Sequence, residues 1–284
     1  MEQGTQEWHD LRRSKIGASD APVILGLSPY KTKFQLWEEK VLGKDQEQTG
    51  GMARGAALES KARECFEQLT GIPVLPKVVI HPQNDWMMAS LDGITFDGTT
   101  IVEIKCPNKE VHALAEKGEL PEHYMAQVQH QFAVTGASKG YYFSYNGDRG
   151  ALVEVFADDK FIKKMLKEEE KFYKLMVDKE APELTEKDYI VKDDKEWKAL
   201  VKEYLEVKDE LDVLRDCEQG IRDKLIELSS NRNAIGAGIK LTRSFAKGQV
   251  DYKLVPELIG VNLEPYRKPP CEKWRITAIN KEET

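Results

Sequence analysis

No run of the 284-residue sequence stays apolar for the ~18–20 residues that a membrane-crossing helix needs. The opening MEQGTQEWHDLRR also lacks the apolar stretch of a secretory signal, so a cytoplasmic protein with no membrane partner is expected. Cysteine is scarce: Cys65, Cys106, Cys217 and Cys271 stand far apart, without a CxxC pair or the Cys/His spacing of a zinc or iron–sulfur site. Scattered reduced thiols are the expectation. The histidines His9, His81, His112, His123 and His130 show no mutual ligand spacing either, and none is assigned to a metal. Positive charge is not in excess: 42 Lys and Arg face 49 Asp and Glu, a formal net charge of −7, which excludes a generically basic nucleic-acid coat. What remains, 40% hydrophobic and 32% charged, is the composition of a soluble globular chain able to bury a core.

The charge divides the sequence into three parts. Residues 1–157 carry 16 basic and 21 acidic side chains, residues 158–233 carry 17 and 22, and residues 234–284 carry 9 and 6. In the first part, GMARGAALESKARECFEQLTG (51–71) repeats Ala57, Leu58, Ala62, Cys65, Phe66 and Leu69 at helical spacing and stops at Gly71. Residues 74–107 alternate β-rich runs with Pro, Asn-Asp and Asp-Gly signals, which predicts three strands joined by tight turns. PEHYMAQVQHQFAVTG (121–136) reads as a helix with Pro121 at its start and Gly136 at its end, and residues 139–146 and 150–156 as a strand pair.

Helices are expected around 158–178 and 194–230. In the second, Trp197, Tyr204, Leu211 and Leu225 take one heptad position and Leu200, Val207, Leu214, Ile221 and Leu228 the other, with Glu218 the odd member. Such a helix runs roughly 50 Å at about 1.5 Å per residue. Its stripe must pack on the 158–178 helix as a hairpin or on another subunit, the hairpin being the plainer choice. The last part reads as strand, turn, strand, short helix and a final strand within 266–279, made positive by Lys240, Arg243, Lys247, Lys268, Lys273 and Arg275. It serves either as a contact to DNA phosphates or as a solvated β-face.

Four side chains carry the chemistry: Glu59 on the first helix, Asp92 in the turn SLDG (90–93), and Glu103 and Lys105 on the strand IVEIK (101–105). Residues two apart on a strand share a face, so Glu103 and Lys105 project together, and a lysine within an apolar strand needs such a carboxylate partner. Asp92 and Glu103, with the Ile104 backbone carbonyl, suit a hard divalent cation that keeps some of its waters, and Glu59 would complete the acidic cluster. Lys105 would orient or deprotonate a water attacking a phosphate and stabilise the charge that develops. Taken singly, Glu-x-Lys is far more often an ordinary ion pair on a strand face, and Asp-Gly is usually just a turn.

Their order, acidic helix, Asp-Gly turn, then apolar strand with Glu-x-Lys, resembles the PD-(D/E)xK nuclease superfamily. WHDLRRSKIGASD (8–20), MARGAALE (52–59), SLDG (90–93), EIKCP (103–107) and YMAQVQHQ (124–131) resemble one branch in particular, the YqaJ-like, lambda-exonuclease-type phage recombination nucleases, across about the first 150 residues. Leu91 stands where the superfamily usually has proline. The resemblance implies an α/β (α+β) fold: a restriction-endonuclease-like core at 1–157 with a central mixed β-sheet flanked by helices. A coiled-coil-like helical block at 158–233 and a small C-terminal α+β extension at 234–284 would follow. It implies a Mg²⁺- or Mn²⁺-dependent exonuclease that degrades duplex DNA 5′ to 3′, using Asp92, Glu103, Lys105 and Glu59. Arg12, Ser19, Ser90 and Gln127 would surround the substrate 5′-phosphate, and Tyr124, Gln127 and Gln131, one turn apart, would approach DNA together. The plainer roles are an ion pair to Asp10 or Glu7 for Arg12 and a helix cap for Ser19.

By the same resemblance the partners are double-stranded DNA ends, a single-strand annealing recombinase and other copies of the chain in a ring-shaped trimer, within a bacterial or phage-infected cell. The alternatives are an endonuclease or structure-specific nuclease on the same core, or a non-catalytic DNA-binding recombination module.

Overall fold

The computed structural model describes residues 3–44 and 50–245, and beyond these Tyr252, residues 255–258 and residues 260–261. The chain divides into two compact units, Met1–Tyr189 and Ile190–Thr284.

The first unit opens with helix α1 (Gln6–Ser14), capped by the Thr5 side chain, then strand β1 (Ile16–Gly17) and the short helices α2 (Ala21–Ile24) and α3 (Lys33–Trp37). Helix α4 (Gly50–Thr70) leads into strands β2 (Leu75–Ile80), β3 (Met87–Ile94) and β4 (Thr100–Lys105); three strands were expected here, but Asp92 and Gly93, expected in a turn, lie within β3 because the strand pairs on to Ile94. Helix α5 (Lys109–Glu116), capped by Asn108, precedes α6 (Glu122–Thr135), which ends at Gly136 with φ 75°, a left-handed conformation that glycine adopts without strain. Strands β5 (Lys139–Tyr145) and β6 (Gly150–Phe156) and helix α7 (Asp159–Asp178) complete the unit. Helices α1 and α5 were not foreseen.

The six strands form one mixed sheet in the order β1-β3-β4-β5-β6, with β2 also paired to β3. Residue alternation sends Ile101 and Tyr142 to the face covered by α6, where they pack with Val128 and Phe132. Val102, Ile104 and Phe143 go to the opposite face, against Ala62 and Phe66 of α4. Helix α7 is amphipathic and lays its apolar side on this core: Met165 and Phe172 are buried, and Ile162, Leu166, Tyr173 and Met176 pack beside the core clusters.

Strand β3 positions the site because its pairing is divided. Its start pairs in parallel with β1 (Ile16 with Met87, Gly17 with Met88), whereas its end pairs antiparallel with β4 only at Gly93–Val102 and Ile94–Ile101. On the Asp92 side of Gly93 the two strands part. A Cβ at Gly93 would lie 2.6 Å from Val102 Cγ1 and 2.6 Å from Val74 Cγ2, so no side chain fits beside Asp92. Gly93→Ala is therefore expected to destabilise the first unit by about 1–3 kcal/mol, read as a lower denaturation midpoint.

The second unit holds helix α8 (Lys195–Leu228), capped by the Asp194 side chain, and a hairpin of β7 (Ala234–Gly236) with β8 (Ile239–Leu241). A 3₁₀ turn at Pro256–Leu258 stands for the expected short helix. The expected final strand, Lys247, Lys268, Lys273, Arg275 and Cys271 lie outside the described residues. Cys65, Cys106 and Cys217 are free thiols, and no helix among the described residues is long and apolar enough to cross a membrane.

Candidate active site

Where β3 leaves β4, the Asp92 carboxylate takes over from the ladder: its Oδ2 accepts the Ile104 N–H at 2.7 Å. Glu103 and Lys105 sit on the α6 side of β4, as their spacing required, and form an ion pair in which the Glu103 side chain is 1% exposed and that of Lys105 28%. A buried carboxylate needs every partner it can reach. Helix α6 supplies two: Gln127 Nε2 donates to Glu103 Oε1 at 2.6 Å, and Gln131 donates to Glu103 Oε2. Both oxygens of Glu103 are thus fixed. Glu59 on α4 binds Arg63 at 2.7 Å, and the Arg63 Nε–H donates to the Asp92 carbonyl at 2.9 Å, tying helix to strand.

Burial and the nearby Glu103 carboxylate push the Asp92 carboxyl up to about 8, with Glu59 adding to the push against the opposing Lys105 and the Ile104 N–H. Burial opposes the Lys105 charge, yet Glu103 and Asp92 outweigh it and hold the ammonium above its ordinary pKa. Its Nζ lies 5.6 Å from the centre of the Tyr124 ring, which stacks on Tyr142 at 5.4 Å. The sequence-derived quartet is therefore one electrostatic cluster. Among the described residues no three His, Cys, Asp or Glu side chains form a ready-made metal cage. Mg²⁺ does not require one, since one or two carboxylates plus waters suffice, and crowded oxygen donors with more negative charge than Lys105 balances fit such an ion.

Beside this cluster lies a second group. Arg12 donates to Ser19 Oγ at 2.8 Å, lies 5.3 Å from the centre of the Trp8 ring and approaches Asp20 at 4.0 Å. Trp8 Nε1–H donates to Ser90 Oγ at 2.8 Å, so Arg12, Ser19 and Ser90 are linked through Trp8. The cap of α2 falls at Asp20, and Arg12 pairs with neither Asp10 nor Glu7 in any described bond. Gln127 and Gln131 point instead at Glu103, and Gln131 is fully buried.

Three supports were not read from the sequence. Lys40, buried, binds Asp20 at 2.6 Å and the carbonyls of Arg12 and Lys15 at 2.7 and 2.8 Å, clamping the end of α1 to the loop that carries Ser19. Burial opposes the Asp20 charge, but Lys40, Arg12 and the Gly17 N–H hold the carboxyl below its ordinary pKa. His130 and Glu169, both fully buried, pair at 2.7 Å across α6 and α7, and His130 Nε2–H donates to the Met88 carbonyl of β3 at 3.0 Å. Trp8 is the third: buried in the core, it also directs its indole N–H to Ser90.

The mixed sheet, its flanking helices and the site at the β3–β4 opening define an exonuclease-like fold. The alkaline exonuclease LHK-Exo from Laribacter hongkongensis, solved in complex with dAMP, shares it with a TM-score of 0.54 at 27% identity, over 61% of this chain and 92% of that one. Residues 7–138 match the family model of the YqaJ-like viral recombinase domain. The uncharacterized protein YqaJ of Bacillus subtilis strain 168 is 32% identical over 61% of this chain and 56% of its own length. Protein D345L of African swine fever virus, strain Badajoz 1971, is 24% identical over 47% of this chain and 46% of its own. The chain thus spans about half the length of these curated relatives.

Proposed function

We propose that this chain is a metal-dependent exonuclease of the phage recombination type. It digests double-stranded DNA 5′ to 3′ and leaves 3′ single-stranded tails for a single-strand annealing recombinase, in the cytoplasm of a bacterial or phage-infected cell. The observation that carries this reading is the gathering of Asp92, Glu103 and Lys105 where β3 parts from β4, in a fold shared with an alkaline exonuclease. A ring-shaped trimer encircling the DNA belongs to the same proposal, on the resemblance of the motifs.

Asp92, Glu103 and the Ile104 carbonyl, with Glu59 beside them, are the groups to hold Mg²⁺ or Mn²⁺. A bound ion supplies Lewis-acid polarisation of the phosphodiester and a nucleophilic water. Lys105, kept protonated by its two carboxylates, offers a fixed positive charge where negative charge develops on phosphorus oxygens. Gln127 and Gln131 stop the Glu103 carboxylate from rotating. The Arg12 guanidinium, 40% exposed and preset by Trp8, Ser19 and Asp20, presents donors to a terminal 5′-phosphate, with the Ser19 and Ser90 hydroxyls beside it. Tyr124 flanks the same opening.

Incubation of 5′-phosphorylated linear duplex with Mg²⁺ should release nucleotides from 5′ ends and stop on chelation; release from 3′ ends alone would refute the polarity. Arg12→Ala is expected to lower the preference for a 5′-phosphate over a 5′-hydroxyl end by roughly 10- to 100-fold, the weight of a charge-assisted contact, measured as the ratio of initial rates on the two ends.

A further inference from the structure

Helix α8 has 34 residues and buries none of them. Its heptad positions a (Trp197, Tyr204, Leu211, Leu225) and d (Leu200, Val207, Leu214, Ile221, Leu228) make one apolar stripe, and the d side chains are 57–82% exposed. A helix with such a stripe is stabilised mainly by packing it away. The hairpin partner expected from the sequence, α7, already directs its own apolar side into the core of the first unit.

The charges flanking the stripe select the occupant. Position g carries Glu196, Glu203, Glu210, Cys217 and Lys224, and position e carries Val201, Lys208, Arg215 and Arg222. In a parallel, in-register coiled coil each g residue meets the e residue five positions later on the other helix. Glu203 then meets Lys208 and Glu210 meets Arg215, with no like-charged pair along the seam. In the antiparallel arrangement g faces g and e faces e, so glutamates oppose glutamates and cations oppose cations. Among the described ion pairs, Glu203, Glu210 and Lys208 enter none, and Arg215 pairs only with Asp212 at 3.3 Å. Glu218, the one charge at position a, lies one helical turn from both Arg215 and Arg222 on its own helix.

We infer that α8 is the seam of a parallel, in-register coiled coil with other copies of this chain. The inference stands apart from the nuclease reading, because it uses no residue of the first unit's site.

The full chain carrying Leu214→Cys in a Cys217→Ser background should form an interchain disulfide in high yield under mild oxidation. Asp216→Cys, facing away from the seam, should not. Glu203→Lys with Glu210→Lys reverses the charge of two interhelical pairs on every helix and should weaken association by about tenfold or more in sedimentation at low salt. Mixing it with the Lys208→Glu, Arg215→Glu chain should restore association. Equal cross-linking at 214 and 216, or an association constant unmoved by the charge reversals, overturns the inference in favour of α8 packing within its own chain or on a different protein.

Discussion

Lys105→Ala is expected to slow hydrolysis of linear duplex DNA by roughly 10²- to 10³-fold in single-turnover measurements while leaving DNA binding within a few fold. The size follows from the place of the ammonium. It is held charged between Glu103 and Asp92, over the ring of Tyr124, with its side chain 28% exposed. A fixed cation in a half-buried site contributes far more to a developing charge than one in water, and alanine removes it without filling the space. The variant should fold, because Glu103 keeps its bonds to Gln127 and Gln131. Rates within threefold of the parent chain would remove Lys105 from the chemistry.

The largest loss of stability is expected from His130→Ala, about 3–5 kcal/mol, or roughly a 10 °C fall in melting temperature for a unit of this size. The carbonyl of Met88 can only accept, so His130 Nε2 carries a proton, and Nδ1 then meets the Glu169 carboxylate at 2.7 Å as a second donor. Burial opposes an imidazolium there, but Glu169 and the two hydrogen bonds hold its pKa above the ordinary 6.5. Alanine leaves the Glu169 carboxylate buried and unpaired. A raised folded-state pKa means that this contribution is complete below about 6.5 and fades as the pH climbs through the raised value. The difference in melting temperature between the parent and a His130→Ala, Glu169→Gln chain, in which no buried carboxylate remains at this pair, should therefore narrow from acidic toward alkaline pH. A gap that widens with pH would mean that His130 is buried neutral. Because His130 joins α6, which carries Gln127 and Gln131, to β3, which carries Asp92, the variant is also expected to bind divalent ions less well.

The strands from β2 to β6 were legible because apolar alternation and Pro or Asp-Gly signals report on local backbone, but Asp92-Gly93, expected as a turn, lies within β3 because its pairing with β4 runs on to Ile94. Glu103 and Lys105 could be placed on one face from spacing alone, and the i to i+4 interval of Glu59 and Arg63 was equally open to reading. Lys40 was not. Within WEEK it looks like any solvated lysine, and only the return of the chain past α1 surrounds it with Asp20 and two carbonyls. The same holds for His130 and Glu169, which are 39 residues apart and meet through the packing of α7 on α6. Gln127 and Gln131 were picked out as a polar helix face, but whether such a face meets DNA or a buried carboxylate depends on which side of the sheet the helix covers. The division of β3 between β1 and β4, which creates the opening, is a property of pairing between distant segments and leaves no local trace.

The proposed activity is tested most directly by offering the protein, in Mg²⁺, a 5′-labelled linear duplex and a covalently closed circle of the same sequence in one reaction. The account predicts that label is released from the linear duplex as short 5′-terminal products while the circle stays closed. Nicking of the circle at a comparable rate would contradict it and make this an endonuclease on the same core.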